Sequence, residues 1–457
     1  MKRIVILAIA AVAMFSMVAT AGAAELKVSG KFHTNFGVFN NYGSWQDEGN
    51  GRQSTQFETR FRPAFDFVAS EALSARLELE IGDVDWGKTG ETKSGAFRYQ
   101  GDNTSSIELR RAYMNFIIPN TKANVRIGLQ GISLPNSFGG HPVWDSENAA
   151  GAVVSTPVTD MVSLTAGFVR ALKGDDSSAD QQDASADMWF AAVPVKAEGF
   201  SLTPYMAYVS VTKNGFNLAN NDAGRFGGLL GLNGTETDDD APIWYAGAAF
   251  EMTMFDPFVV KANFVYGSLD AEEDNNDRSG WSANAAFDYK GFDFVTPELV
   301  VAYTSGEDDA KNSSDYGESN RLPAFDQYMN LGSYWLGNGD FVDTLEDESN
   351  LGYWLVGLNL KDISLVDKLT QTIGVYYIKG TNSKDVIAYS DTAPITFGKT
   401  LTEDDSVWEV SLTSHYKIYD ELTAYLDLVY ISPDFDDEWN VDDEAGTAAV
   451  FGLVYQF

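Results

Sequence analysis

The sequence predicts an all-β chain in which eighteen antiparallel strands close into a membrane-crossing barrel, with sixteen as the alternative count. Three observations carry this. Apolar and polar residues alternate over one segment after another, the mark of strands with two unlike faces. Long polar stretches and short turns alternate along the chain, which places every long connection on one side of the sheet. The last segment, Ala449 to Phe457, puts Ala449, Phe451, Leu453, Tyr455 and Phe457 on one face and then stops. Nothing follows to cover its edge or its apolar face. Pairing with the first strand closes the edge, and lipid covers the face.

Residues 1–24 read as a cleaved secretory signal: Lys2 and Arg3, an apolar run from Ile4 to about Val18, and Ala21, Gly22, Ala23 and Ala24. A retained anchor is the alternative, against which the apolar run is short. Residues 25–457 then form one barrel domain. The chain is 44% hydrophobic, yet no later stretch approaches the ~20 apolar residues of a spanning helix, so strands must do the crossing. Without cysteine, no disulfide framework holds it. A net charge of -35 excludes a general nucleic-acid binder. The acids cluster where loops belong: Asp238 to Asp240, Glu272 to Asp274, Glu307 to Asp309, Glu346 to Glu348 and Asp434 to Glu438. Solubility explains them, and divalent cations held at a lipopolysaccharide surface are the functional alternative. No run has the calcium-loop pattern, and no other cofactor is expected.

The first strand sets Phe32, Thr34, Phe36 and Val38 against Lys31, His33 and Asn35. In the second, Phe57, Thr59, Phe61, Pro63, Phe65 and Phe67 oppose Glu58, Arg60, Arg62 and Asp66. In the third, Ala75, Leu77, Leu79 and Ile81 oppose Arg76, Glu78 and Glu80. Long loops are expected near 40–54, 87–104, 133–150, 171–186, 212–241, 269–279, 305–349, 380–405 and 433–446, with short turns such as Pro119 to Thr121 and Asp256 to Pro257 between them. One strand on each side of nine long loops gives eighteen. The length of 305–349 keeps sixteen as the alternative. A soluble sandwich or propeller would bury its apolar faces on each other, usually with an internal repeat, and none is found.

In the fourth strand Glu108, Arg110, Ala112 and Met114 share a face, and in the fifth Lys122, Asn124, Arg126, Gly128 and Gln130 do. With Lys31, Arg60 and Arg62 these form a row of cations opposite the lipid face. Interleaved Glu58, Asp66, Glu78, Glu80 and Glu108 allow the row to be a set of neutralising salt bridges instead. The fourth strand would also set Arg111 and Asn115 outward with Ile107, Leu109, Tyr113 and Ile117. A cation facing lipid costs ~2–4 kcal/mol at mid-depth, which another subunit would relieve; a bulge turning Arg111 inward is the alternative. Residues 133–150, SLPNSFGGHPVWDSENAA, combine turn formers with apolar anchors at Phe138, Val143 and Trp144, so this loop is expected to fold onto something.

Here the chain resembles the trimeric general-diffusion porins of Gram-negative outer membranes, and its overall run is similar to the homotrimeric porins of sulphate-reducing bacteria. Its terminal Phe457 resembles the closing strand that the outer-membrane assembly machinery reads. The resemblance implies a lumen constriction in which acids of the loop after the fifth strand face a basic wall. By it, Lys31 in SGKFHTNFG, Arg60 in ETRFRPAFDF and Arg110 in ELRRAYMNF are the wall, with Arg62 and Arg126 as further members, and Asp145 and Glu147 are the facing acids. The loop has Ser-Phe-Gly-Gly-His where enteric porins have Pro-Glu-Phe-Gly-Gly, and eighteen strands exceed the usual sixteen of general porins. Implied with it are a homotrimer in the bacterial outer membrane, contact with lipopolysaccharide and lipid, and passive diffusion of small hydrophilic solutes and ions. A substrate-specific channel for a sugar, anion or peptide is the alternative. Tyr205, Tyr353 and Tyr377 would serve it if they face inward. No serine motif flanks His33, His141 or His415, so an enzyme is not expected.

Overall fold

The computed structural model describes residues 24–43, 53–86, 107–174, 185–212, 241–270, 277–307, 320–324, 328–337, 352–383, 401–436 and 443–457. Residues 1–23 of the expected signal and the acids at 238–240, 272–274, 308–309, 346–348 and 437–438 lie outside them.

The long strands are β1 (Glu25–Asn40), β2 (Gln53–Ser70), β3 (Leu73–Asp85), β4 (Ile107–Ile117), β5 (Asn124–Ser133), β6 (Asp145–Pro157), β7 (Ser163–Lys173), β8 (Ser185–Ala192) and β9 (Phe200–Val211). They continue with β10 (Ala241–Phe255), β11 (Phe258–Leu269), β12 (Arg278–Tyr289), β13 (Thr296–Thr304), β14 (Tyr353–Val366), β15 (Leu369–Gly380), β16 (Ser406–Lys417), β17 (Leu422–Asp434) and β18 (Gly446–Gln456). A three-residue stretch, Val195–Ala197, carries β8 past Pro194 onto the start of β9. All neighbours are antiparallel, and β1 pairs with β2 on one side and β18 on the other, Lys31 opposite Gln456 through Asn40 opposite Thr447. At the seam the Gly30 amide donates to the Phe457 carbonyl at 2.9 Å and the Phe457 amide to the Gly30 carbonyl at 3.1 Å. The barrel is closed, and its strand count is eighteen rather than sixteen.

Alternation places side chains as read from the sequence along most of the wall. Phe36, Phe57, Met206, Phe264, Leu358 and Phe451 are exposed on the outside, while His33, Asn35, Asn284, Asn359 and Glu409 are buried on the inside. Tyr205 and Tyr353 turn inward and are buried, whereas Tyr377 turns outward between Trp354 and Trp408. From β8 to β17 each strand carries an outward Trp or Tyr near its long-loop end: Trp189, Tyr208, Trp244, Tyr266, Trp281, Tyr303, Trp354, Tyr377, Trp408 and Tyr430. Neighbouring rings touch, as Tyr208 and Trp244 do with centroids 4.4 Å apart. Among the described residues β18, β1, β2 and β4 to β7 have no outward Trp or Tyr near that end.

Strand β4 breaks its expected alternation. Glu78 of β3 lies opposite Arg111 and Leu79 opposite Leu109, so Arg110 is the extra residue of a β-bulge. Beyond it the faces exchange. Ile107, Leu109 and Met114 are exposed outside, whereas Arg110, Arg111, Tyr113 and Asn115 turn inward. The expectation that Arg111 faces lipid is overturned, as is the grouping of Ala112 and Met114 with Glu108 and Arg110. The bulge removes the cost of a cation against lipid, and with it that argument for a partner subunit.

A candidate constriction in the lumen

The nine long connections fall at one end as expected, but two of them re-enter the barrel. The first is 134–144. Strand β5 runs to Ser133 and its backbone groups need partners, which β6 supplies from Asp145 onward, Ser133 opposite Asp145 and Gln130 opposite Ala149. Residues 145–150 are therefore strand, and the inward excursion is shorter than 133–150. Its sharp bend uses Gly139 and Gly140 at φ +70° and +79°, where side chains with a Cβ are strained. The bend crosses to β11, where the Ser137 amide donates to Asn263 Oδ1 at 2.7 Å and Asn263 Nδ2 donates to the Phe138 carbonyl at 3.1 Å.

His141 locks the bend. Its Nδ1 accepts from the Val143 and Trp144 amides at 3.1 and 3.3 Å, so the proton sits on Nε2, which donates to the Tyr205 hydroxyl at 2.7 Å. Burial holds its pKa down at about 3, and two amide protons already occupy the space of a second ring proton. Both ring nitrogens are committed to structure.

The second inward segment lies in the connection between β13 and β14. Tyr328–Met329 pairs with Gly140–His141 as a short antiparallel ribbon. Ser333 Oγ, the Tyr334 amide and the Trp335 amide converge on the Glu409 carboxylate of β16 at 2.7, 2.9 and 2.9 Å. The Tyr334 hydroxyl reaches Thr413 at 2.7 Å. The sequence predicts 305–349 as a plain outer loop, whereas residues 328–337 of it turn into the lumen. The cue was Leu331, Gly332, Tyr334, Trp335 and Leu336, an apolar patch in polar surroundings like the one in 133–150.

Both segments pack on inward apolar residues. One cluster joins Leu134, Val143 and Trp144 to Met188, Phe190, Val209, Tyr245 and Leu322; the other joins Met329, Leu331, Trp335 and Leu336 to Leu355, Tyr376, Val407 and Val429. Neither cluster includes a residue of β2, β3 or β4.

Those three strands bear the charged wall. Lys31 lies opposite Arg62, and His33 opposite Arg60, all inward. Arg62 Nε meets Glu80 at 2.5 Å, and Arg110 meets Glu78 at 3.1 Å, Glu80 at 2.9 Å and also Glu147. Arg76 meets Asp66 and Glu78 at 3.0 and 3.1 Å, and Arg111 lies 3.7 Å from Glu78. Within this lattice four arginines, 62, 76, 110 and 111, meet four acids, 66, 78, 80 and 147. Glu147 therefore stands on the same wall as Arg110 rather than across a gap from it, and Asp145 opens the same strand. Arg126 is apart from the lattice: no acid among the described residues pairs with it, and its guanidinium lies 4.9 Å from the Tyr113 ring centroid.

No protein-family model and no curated protein sequence matches the chain. Solved structures do. The chain is similar to OpdO of Pseudomonas aeruginosa (TM-score 0.55, 11% identity, 95% of this chain and 97% of that one). It is similar to OccK7 of the same organism (TM-score 0.51, 13% identity, 95% and 99%). It is also similar to the outer membrane protein OprD (TM-score 0.51, 12% identity, 94% and 93%). At these identities the likeness is one of fold.

Proposed function

We propose that the chain is a porin of the bacterial outer membrane, exported by cleavage after Ala24, through which small hydrophilic solutes and ions diffuse passively. One observation carries the reading: the two inward segments cover the apolar inner wall, while the charged wall of β2 to β4 joins neither apolar cluster. Water and solutes pass along that wall, where fixed charges of both signs, Lys31, Arg60, Arg62 and Arg110 with Glu80, Asp145 and Glu147, make passage of apolar solutes unfavourable. The exposed apolar outer face and the closed seam suit lipid surroundings. With both nitrogens of His141 bound to the loop and its partner strand, that histidine supplies no catalytic base.

The protein assembles as a homotrimer through β18 and β1 to β7, a sector in which, among the described residues, Trp86 at the end of β3 stands as the one outward Trp or Tyr near the long-loop end, whereas β8 to β17 carry one on every strand. Lipopolysaccharide and lipid then contact β8 to β17, and Phe457 at the seam serves as the mark read by the assembly machinery. Divalent cations at the acidic long connections belong to the same proposal.

Conductance of purified protein in planar bilayers, with reversal potential in a salt gradient, tests the channel. Failure of correctly assembled protein to conduct would sink it. Crosslinking in mild detergent that yields monomers alone would sink the trimer. A substrate-specific channel is the second reading, favoured by the pocket of about 430 Å³ that Arg126, Ser155, Thr165 and Phe190 line on the inner wall of β5 to β9.

A further inference from the structure

The two inward segments are bonded to each other as well as to the wall. Tyr328–Met329 pairs with Gly140–His141, and the Asn330 amide donates to the Gly139 carbonyl at 3.2 Å. At this junction the chains touch closely: a Cβ on Gly140 would lie 2.0 Å from the Tyr328 carbonyl oxygen, and one on Gly139 would lie 2.6 Å from Leu331 Cδ2. Apolar contacts are exchanged too. Leu322 and Ala324, from the connection that carries the second segment, belong to the cluster of Leu134, Val143 and Trp144. Phe138 of the first segment packs on the cluster of Met329, Leu331 and Trp335. Polar anchors hold the joined body at opposite ends. On one side are Tyr205 of β9, Asn263 of β11 and Tyr245 of β10, whose hydroxyl donates to the Pro323 carbonyl at 2.9 Å. On the other are Glu409 and Thr413 of β16. The wall between β11 and β16 satisfies its own charges: Lys361 of β14 donates to Asp288 of β12 and Glu298 of β13 at 2.8 and 2.6 Å.

We propose that residues 134–144, 320–324 and 328–337 form one two-state gate, whose two inward segments leave the lumen together and open a single wider passage lined by the charged residues of β12 to β14. Release of the second segment alone would leave the ribbon's backbone groups unpaired and strip Phe138 of its cluster, and release of the first alone would do the same to Leu322 and Ala324. Leaving together, the segments keep these contacts and break only those to the wall. Packed bodies of this kind switch between discrete arrangements rather than deform by degrees. The proposal deepens the porin reading, since the passage that opens is the solute's route.

The test is amide hydrogen exchange on full-length protein in detergent, with single-channel recording, on Glu409→Gln, His141→Gln and both together. Each anchor is read at the far segment. Glu409→Gln should accelerate exchange at Val143 and Trp144, which it does not touch, by the same factor as at Tyr334 and Trp335. His141→Gln should in turn accelerate Tyr334 and Trp335. In a Gly140→Ala background, which breaks the ribbon, Glu409→Gln should affect Tyr334 and Trp335 alone. In the recordings both single variants should reach one and the same larger current level and differ only in dwell time. Thr413→Val, which removes only the partner of the Tyr334 hydroxyl, repeats the exchange test with a smaller factor, and protection of the Gly30 and Phe457 amides in each variant shows that the barrel is closed. Wild-type exchange at Val143 and Trp144 in both Glu409→Gln and Thr413→Val, or two different current levels that add in the double variant, would overturn the proposal. Coupled exchange in a protein that does not conduct would sink the porin reading and leave the two-state body standing; conductance with uncoupled exchange would do the reverse.

Discussion

Glu409 is the natural place to perturb the second inward segment. Its carboxylate, fully buried on β16, accepts three hydrogen bonds from Ser333, Tyr334 and Trp335, the first and third on Oε2 and the second on Oε1. Glu409→Gln keeps one acceptor oxygen for Ser333 and Trp335 but turns an NH₂ toward the Tyr334 amide, so one charge-assisted bond is lost and one buried N–H is left without an acceptor. At ~1.5–3 kcal/mol per bond to a charged group, with the unpaired donor added, docking of the turn weakens by about 2–4 kcal/mol. That shifts its docked-to-undocked ratio by roughly 30-fold to 1000-fold. Amide hydrogen exchange at Tyr334 and Trp335 should accelerate by about that factor, while amides in the β16–β17 ladder, bonded backbone to backbone, stay protected. Single-channel current should become larger and noisier. Unchanged exchange at Tyr334 and Trp335 together with unchanged current would refute the view that Glu409 holds the segment in the lumen.

Gly140→Ala should disrupt the ribbon between the two segments, because a Cβ there would lie 2.0 Å from the Tyr328 carbonyl oxygen at a φ of +79°; increased current noise with intact heat stability of the barrel is the expected readout. For His141 the folded pKa, about 3, lies below the ordinary value of 6.5, so its contribution to loop stability is complete above pH 6.5. It is lost as pH falls from 6.5 toward 3, at ~1.4 kcal/mol per pH unit. Gating that sets in below about pH 5 should therefore disappear, or become constitutive, in His141→Gln. Selectivity should be weakly cationic at low salt, because the lattice arginines are balanced and the acidic connections dominate until screening removes them over a Debye length of ~8 Å. Asp145→Asn with Glu147→Gln should move the reversal potential toward anions, and Arg60→Ala or Arg110→Ala toward cations; a channel indifferent to all four changes would place the constriction elsewhere.

The barrel was legible because its physics is local. Period-two alternation, turn chemistry and loop length each report on a few consecutive residues, and the strand ends bracket all nine expected long connections, with the one expected at 133–150 cut to 134–144. The β4 bulge was not legible in the same way. Reading 107–117 alone, strict alternation sends Arg111 outward; only the ladder to β3, which brings Glu78 opposite Arg111, shows that one residue is skipped. The energetic clue was present, since an arginine against lipid is costly, and it favoured the bulge as much as it favoured a subunit contact.

The lumen shows a different limit. That 133–150 would fold onto something followed from Phe138, Val143 and Trp144, but its destination on Asn263 and Tyr205 depends on residues more than sixty positions away, which no local pattern reports. The same reasoning applied to Leu331, Tyr334, Trp335 and Leu336 would have flagged the second segment. It was masked by the polar residues around it. Charge composition was equally ambiguous: the row of cations and the interleaved acids admitted both a basic wall and a neutral lattice. Distances decide for the lattice at Arg62, Arg76, Arg110 and Arg111, and in doing so they single out Arg126, which the sequence had grouped with the wall. A row in which each arginine has its acid filters by size and dipole.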